Sequence, residues 1–173
     1  QYVMAAYVVT MKVDAFCVMP LMSLGLAMTT YTGQNVGAGD MERVDKGCRQ
    51  GLLLTVSITG FLSLLLFFFG KYPLMLFTPE AELLSEGMHL LRILCPFYWV
   101  IAVNDLLSGV MRGSGNTIIP MINSMTCLCL IRIPLMYWLI SAMQSADALY
   151  YAMVIGWCVG AAFMTLFYKF SPW

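Results

Sequence analysis

The stretch GLLLTVSITGFLSLLLFFF, residues 51–69, contains no charged residue and is dense in Leu and Phe. A transmembrane helix needs about 20 mostly apolar residues. The apolar run is continuous and does not alternate with polar residues, which excludes a strand of a membrane barrel. Backbone groups inside hydrocarbon must be hydrogen-bonded within the segment. The stretch therefore predicts a membrane-spanning helix.

Four further stretches of the chain predict spans of the same kind. Of the 173 residues, 61% are hydrophobic and 10% are charged, whereas a soluble domain has about 25% charged residues. No soluble core could bury this much apolar surface. We therefore predict an all-α, polytopic integral membrane protein whose main partner is the lipid bilayer. Its five transmembrane helices are expected at about residues 3–31, 51–69, 83–111, 117–140 and 148–170.

The charge balance and the cysteines exclude several classes of function. Nine basic and nine acidic residues cancel, so no excess charge indicates a nucleic-acid partner. The six cysteines form no Cys-x-x-Cys pair, and there is one histidine, so no zinc site is predicted. A membrane enzyme would need a metal cluster, or a nucleophile with its base. We predict that the protein is not an enzyme and has no cofactor.

The basic residues of the predicted connections set the expected orientation. Five of them lie on one side of the membrane and only Lys71 lies on the other. Cytoplasmic loops carry the excess of Lys and Arg. We therefore expect a multi-pass protein of the plasma membrane, with the Gly33–Gln50 connection and the C-terminus in the cytoplasm.

Four short motifs in the chain resemble a known family. They are Lys12-Val13-Asp14-Ala15-Phe16 followed by Pro20; Gly33-Gln34-Asn35-Val36-Gly37-Ala38-Gly39; Arg112-Gly113-Ser114-Gly115-Asn116-Thr117; and Arg132-Ile133-Pro134-Leu135. Their types and order are similar to those of the multidrug and toxic compound extrusion (MATE) transporters. The fourth motif is similar to the second lobe of that family.

The resemblance implies a fold and a function. Family members have twelve helices in two six-helix lobes, so residues 1–173 would be a partial C-terminal lobe without its first helix. The N-terminal lobe of the same polypeptide would then be a partner. The implied function is secondary active transport, with Na⁺ or H⁺ driving export of small organic and cationic drugs by alternating access. A lipid-linked saccharide flippase of related architecture and a non-transporting membrane scaffold remain alternatives.

Two acidic residues inside predicted spans are candidates for ion coupling or substrate binding. An ionisable group at membrane depth costs roughly 2.5–3.5 kcal/mol on insertion scales and usually faces protein or water. Asp105 lies beside Asn104, and carboxylate and amide oxygens suit hard cations, so this pair is a candidate proton or Na⁺ site. Asp14 is the second candidate. Structural pairing is the alternative for both acids, and for Arg132, which is expected to pair with Asp14 or Asp105 or to extend to the interface.

A further set of residues is predicted to be structural or to act in gating. The glycines of the Gly33–Gly39 segment permit positive φ angles, and Gln34 and Asn35 can bond backbone groups where the first helix ends. A structural turn and a hinge are both consistent with this. Prolines 96, 120 and 134 are expected to weaken their helices locally, and no repeat with a period of 20–50 residues is found. The candidates are Gly33, Gln34, Asn35, Gly37, Gly39, Arg112, Gly113, Arg132 and Pro134.

Overall fold

The computed structural model describes residues 2–144 and 147–170, and for residues 2–4 and 17 it describes the backbone alone. Within these ranges every regular element is helical and no strand occurs. The elements are α1 (Tyr2–Gly37), α2 (Met41–Phe69), α3 (Lys71–Met75), α4 (Ala81–Leu94), a 3₁₀ turn (Cys95–Phe97), α5 (Tyr98–Gly113), α6 (Ile118–Met125), a π-helical segment (Thr126–Arg132), α7 (Ile133–Met143) and α8 (Asp147–Phe170).

Five helical stretches are long and apolar enough to cross a membrane, which confirms the predicted fold class. Most of them extend past their predicted ends; α1, for example, has 36 residues, or about 54 Å at 1.5 Å per residue. Hydropathy marks where apolar residues stop, whereas a helix continues through polar residues into the interface. The residues after Phe170 lie outside the described part of the chain. The spans are Ala5–Gly37, Met41–Phe69, Ala81–Gly113, Ile118–Met143 and Asp147–Phe170.

The predicted connection Gly33–Gln50 is wrong in extent, because only three residues, Ala38 to Asp40, separate α1 from α2. Asn35 lies in the last turns of α1, where its Nδ2 donates to the carbonyl of Tyr31 at 2.7 Å. The polar residues that hydropathy assigned to a loop therefore complete one helix and begin the next.

The turn between α1 and α2 is a Schellman motif followed by a helix cap. Gly39 has φ +74°, and its N–H donates to the carbonyl of Val36 at 3.0 Å. The N–H of Asp40 donates to the carbonyl of Asn35 at 2.9 Å. These two bonds close the end of α1. Oδ1 of Asp40 then accepts the N–H of Arg43 at 3.0 Å and caps α2.

The turn between α5 and α6 is built in the same way. Gly115 has φ +91°, and its N–H donates to the carbonyl of Arg112 at 3.1 Å. The N–H of Asn116 donates to the carbonyl of Met111 at 3.0 Å. Oδ1 of Asn116 accepts the N–H of Ile119 at 3.3 Å at the start of α6.

The two turns belong to an internal repeat that the sequence prediction missed. Helix α1 with its turn and the third span with its turn share residues at a spacing far longer than the 20–50 residues tested. Few positions are shared, so the repeat leaves little trace in overall composition. The pairs, each 76 positions apart, are Pro20 and Pro96, Thr32 and Ser108, Gly33 and Gly109, Gly37 and Gly113, Gly39 and Gly115, and Asp40 and Asn116.

Helix α5 lies at the centre of the bundle and packs against α1, α2 and α8. Two clusters of buried apolar side chains lie along its length, one near its start and one near its end. One cluster surrounds Leu91, Leu94 and Tyr98 and includes residues of α3 and α4. The other surrounds Val44, Val110 and Met164, near the two Schellman turns. Much of α2 instead presents large apolar side chains on the outer surface, as a lipid-facing helix would.

The third span is interrupted at Pro96, as predicted for a proline inside a helix. The chain passes through the 3₁₀ turn before α5 begins at Tyr98. The carbonyl of Cys95 accepts the N–H of Tyr98 and also the hydroxyl of Ser63 from α2. The side chain from α2 therefore helps to satisfy the backbone at the interruption.

The other two prolines behave differently from each other. Pro120 is the third residue of α6, where an N–H would have no partner within the helix, so the predicted weakening there is wrong. Pro134 follows the π-helical segment and is in the first turn of α7. Since proline has no N–H for the carbonyl four residues earlier, the wider hydrogen-bond register of the preceding segment fits the prediction of a local weak point.

Candidate functional site

The contact between α1 and α5, which we call the α1–α5 seam, depends on glycine. A β-carbon at Gly109 would lie 2.3 Å from the carbonyl oxygen of Gly25. A β-carbon at Gly113 would lie 2.5 Å from the carbonyl oxygen of Thr29. Real side chains do not approach so closely, so the two backbones can meet only where β-carbons are absent. Gly109 and Gly113, four residues apart on α5, therefore form a small-residue packing surface between the two helices.

Asp14 of α1 meets α5 in this seam. The hydroxyl of Tyr98 donates a hydrogen bond to Oδ1 of Asp14, and the Tyr98 side chain is fully buried. Lys12 does not pair with Asp14; its ammonium lies 5.6 Å from the centroid of the Phe77 ring. Lys12 and Asp14 therefore have different neighbours.

Asp105 lies in the same seam beside Gly25. A β-carbon built on Gly25 would lie 3.1 Å from the backbone oxygen of Asp105 and 3.8 Å from its Cβ. The Asp105 side chain is half-buried, and among the described residues it makes no hydrogen bond or salt bridge. An acidic side chain at membrane depth, without such a bond in this part of the protein, can bind a further group.

The two acidic residues lie along one line of the seam. Tyr98, which holds Asp14, and Asp105 are seven residues apart on α5, so they share a helix face. Their separation along the axis is about 10 Å at 1.5 Å per residue. The structure thus places the two carboxylates that were predicted separately at different heights of one seam. Asp14 is hydrogen-bonded within the bundle, and Asp105 has no such bond to a described residue.

Asn104 faces a residue that the sequence analysis missed. Its Oδ1 accepts Nδ2 of Asn123 at 2.9 Å, and Asn123 is only 2% exposed. An asparagine near the start of an apolar helix was the available signal, because an amide at that depth needs a partner. The bond links α5 to α6 through Asn104, the residue that precedes Asp105 in the sequence.

The predicted gating residues of the α1–α2 turn have unequal structural roles. Gly39 needs its positive φ, whereas a β-carbon on Gly37 would meet nothing within 4 Å. A β-carbon on Gly33 would lie 3.5 Å from the carbonyl of Gly113, an ordinary contact. Gln34 is exposed and its side chain makes no hydrogen bond to a described residue, so the bonding predicted for it is wrong. Asn35 bonds a carbonyl inside α1 rather than one freed at its end.

Neither of the two arginines among the gating candidates forms a salt bridge with a described acidic residue. Arg112 is exposed at the end of α5. Arg132 makes no salt bridge with a described residue, so its predicted pairing with Asp14 or Asp105 is wrong for this part of the chain. The reason is its position at the end of the π-helical segment, since the fourth span packs mainly against α8 rather than α1. Pro134 follows it in the same region.

The residues that the structure describes contain no group of three or more His, Cys, Asp or Glu side chains placed to hold a metal ion. Asp105 has Asn104 as its neighbour in the chain and Gly25 across the seam. A Na⁺ ion there would need further oxygen ligands. The Na⁺ site at Asp105 stays a prediction.

Comparison with known proteins places this geometry in a family. The MatE family matches residues 1–138. The chain is 31% identical over 133 residues to the probable multidrug resistance protein YoeA of Bacillus subtilis (strain 168), covering 77% of this chain and 29% of that protein. It is 24% identical over 172 residues to the probable multidrug resistance protein YpnP of the same organism, covering 99% of this chain and 38% of that protein. The chain therefore spans about a third of the length of these relatives.

Solved structures have the same fold. The crystal structure of the eukaryotic MATE transporter AtDTX14 matches with a TM-score of 0.90 and 21% identity, covering 99% of this chain and 39% of that one. A crystal structure of a MATE protein in the bent conformation matches with a TM-score of 0.91 and 17% identity, covering 99% and 38%. These proteins are named as transporters or as multidrug resistance proteins rather than as enzymes.

Proposed function

This chain belongs to the MatE family, and on that premise we propose that it forms part of a cation-coupled exporter of organic compounds. The relatives support a transporter of the multidrug efflux kind. The proposal adds antiport, in which inward movement of Na⁺ or H⁺ drives export of cationic and amphipathic drugs. It also places residues 1–173 in the C-terminal lobe, with the N-terminal lobe of the same polypeptide as the partner that completes the pathway.

The observation that supports coupling is the position of Asp105. Keeping a carboxylate at membrane depth costs roughly 2.5–3.5 kcal/mol on insertion scales. Asp14 offsets part of such a cost through the Tyr98 hydroxyl, whereas Asp105 makes no comparable bond to a described residue. A carboxylate whose position in the membrane is unfavourable until it binds a cation or a proton is suited to couple ion binding to transport.

The proposed mechanism is alternating access of one site to the two sides of the membrane. A cation or proton bound at Asp105 neutralises the carboxylate and favours one arrangement of the lobes, and a cationic drug competes for the same negative charge. A ligand shifts such an equilibrium only by its differential affinity for the two arrangements. Asp14 and Tyr98 hold α1 against α5, so that occupancy at Asp105 is transmitted along the seam.

The orientation in the membrane is part of the proposal. Basic residues are concentrated near the two Schellman turns and near the end of α8, including Arg43, Lys46, Arg112 and Lys169. Under the positive-inside rule this end of the bundle faces the cytoplasm of the plasma membrane. The end that contains Lys71 and Phe77 then faces outward, toward the side from which the driving ion enters.

The test is ion-driven efflux by the full-length protein in proteoliposomes, with ethidium as the organic cation. Asp105→Asn and Asp14→Asn are compared with Asp40→Asn, which makes the same substitution at an exposed position where Asn still caps the helix. A Na⁺ gradient and a pH gradient are applied separately. We expect Asp105→Asn to abolish the response to one of the two gradients and Asp40→Asn to retain it. Unchanged transport and ion dependence in both Asp105→Asn and Asp14→Asn would remove these residues from the mechanism.

A further inference from the structure

Three side chains from the middle of the bundle form a hydrogen-bonded chain. The thiol of Cys127, in the π-helical segment, donates to Oδ1 of Asn123 at 3.5 Å. Nδ2 of Asn123, in α6, donates to Oδ1 of Asn104 in α5 at 2.9 Å. This series of hydrogen bonds therefore extends from the fourth span to Asn104, the residue next to Asp105.

In the structure the two hydrogen bonds lead from the Cys127 thiol through Asn123 to Asn104. A side-chain amide has an acceptor oxygen and a donor nitrogen, and the two can exchange places when the amide turns over. The thiol of Cys127 donates to Oδ1 of Asn123, so in the structure Asn123 presents its oxygen to the sulfur. Asn123 then presents its nitrogen to Asn104. The carbonyl oxygen of Asn104 is engaged on the α6 side, and its amide hydrogens are left for another partner.

Helix α8 closes this arrangement on its outer side. A β-carbon at Gly160 would lie 3.0 Å from Sγ of Cys127 and 3.6 Å and 3.7 Å from the amide oxygen and nitrogen of Asn123. Glycine at this position lets α8 approach the amide directly. Because Asn123 is almost fully buried and packed in this way, water cannot readily replace its hydrogen bonds.

We propose that Asn123, oriented by Cys127, is a positioning residue for the coupling site at Asn104 and Asp105. It acts by holding the carbonyl oxygen of Asn104 toward α6, so that Asn104 offers hydrogen-bond donors rather than a free oxygen beside Asp105. Asn104 accordingly offers its site a hydrogen-bond donor and not an oxygen ligand for a bare cation. The inference rests on the proposed function.

The experiment uses the full-length protein in proteoliposomes and measures the Na⁺ concentration, or the proton concentration, at half-maximal ethidium efflux. Asn123→Leu removes the donor and keeps the number and the branching of the side-chain heavy atoms. A shift of about threefold in the half-maximal concentration corresponds to about 0.6 kcal/mol of ion affinity. We expect a shift of this size or larger with Asn123→Leu and with Asn104→Leu, and no larger shift in the double variant. Cys127→Ser, which keeps a donor at this position, is expected to shift the half-maximal concentration less than Asn123→Leu does.

The matched control is Thr59→Val, because Thr59 is also buried but bonds only a carbonyl of its own helix, that of Thr55, at 2.6 Å. Additive shifts in the Asn104 and Asn123 variants would overturn the inference. So would an Asn123→Leu protein that is merely less stable, with an unchanged half-maximal concentration. If Asp105→Asn has no effect while the two asparagine variants shift together, coupling at Asp105 fails and the positioning role stands. If Asp105→Asn removes ion dependence and Asn104→Leu does not alter it, the positioning role fails and the proposed function stands.

Discussion

Gly109 of α5 approaches Gly25 of α1 so closely that a β-carbon at position 109 would lie 2.3 Å from the Gly25 carbonyl oxygen. That oxygen also accepts the hydroxyl of Thr29 at 3.0 Å, so the contact places two helix backbones and one side chain around a single carbonyl. Asp105 lies one turn before Gly109, and the close approach keeps it beside α1. The close approach of Gly109 to Gly25 therefore also determines the position of Asp105 beside α1.

The seam predicts different outcomes for two glycines that occupy equivalent positions in the internal repeat. Gly113→Ala would force a methyl group to within 2.5 Å of the Thr29 carbonyl, and overpacking of this kind costs about 1–3 kcal/mol. Gly37→Ala adds a methyl group where nothing lies within 4 Å, so stability should be unchanged or slightly higher. Thermal unfolding of the full-length protein in detergent measures both. Equal melting temperatures for the two variants would contradict the close backbone contact between α1 and α5 at Gly113.

The Schellman turns predict a cost for alanine at both left-handed glycines. Gly39 has φ +74° and Gly115 has φ +91°, and an L-residue in the left-handed region costs roughly 1–2 kcal/mol. Gly39→Ala and Gly115→Ala should each lower the free energy of unfolding by about that amount. Gly39→Asn should lose less, since Asn tolerates this conformation. Denaturant unfolding provides the measurement, and an alanine variant as stable as Gly37→Ala would refute the turn geometry.

The bond between Asp14 and Tyr98 predicts energetic coupling across the seam. Tyr98→Phe removes the hydroxyl and keeps the ring, which packs against Trp157 with centroids 6.4 Å apart. We expect a double-mutant cycle with Asp14→Asn to give a coupling free energy of about 0.6–1.7 kcal/mol, the range for hydrogen bonds between membrane helices. The cycle is measured by unfolding in detergent. Independent effects of the two substitutions would show that the hydroxyl does not stabilise the carboxylate.

The interruption at Pro96 predicts that the effect of Ser63 depends on the proline. Ser63→Ala removes the hydroxyl that bonds the Cys95 carbonyl and should cost about 0.6 kcal/mol. In a Pro96→Ala background the 3₁₀ turn can become α-helical, so the Cys95 carbonyl, which accepts the N–H of Tyr98 in the 3₁₀ turn, would accept an N–H four residues on instead. The carbonyl would then tilt less toward Ser63, and the cost of Ser63→Ala should fall.

The control for this prediction is Ser57→Ala, because Ser57 is exposed and bonds a carbonyl of its own helix, that of Leu53, at 2.7 Å. Its effect on thermal unfolding should be the same with and without Pro96. A cost for Ser63→Ala that is undiminished in the Pro96→Ala protein would mean that the hydroxyl stabilises something other than the interruption.

The five spans could be predicted because the cost of exposing polar groups to hydrocarbon is local and adds along the chain. The turn motifs around Gly39 and Gly115 could also be recognised, since left-handed residues and helix caps restrict residue choice at single positions. The extent of the spans could not be predicted from hydropathy. Residues 41–50 are polar enough to resemble a loop, yet the Asp40 cap begins a helix there. The sequence by itself thus determined the class of fold, the number of spans and the special character of the turns.

The tertiary structure alone decided which side chains meet. Asp14 and Tyr98 are 84 residues apart in the chain. An asparagine in an apolar helix indicates that Asn123 needs a partner, but the sequence does not indicate that the partner is Asn104. Arg132, which was expected to pair with an acid, lies on a span that packs against α8. The physical reason is that hydropathy averages over a helix, whereas contacts depend on how each helix is rotated and how closely its backbone approaches the next. In this bundle the glycines of the α1–α5 seam determine that approach.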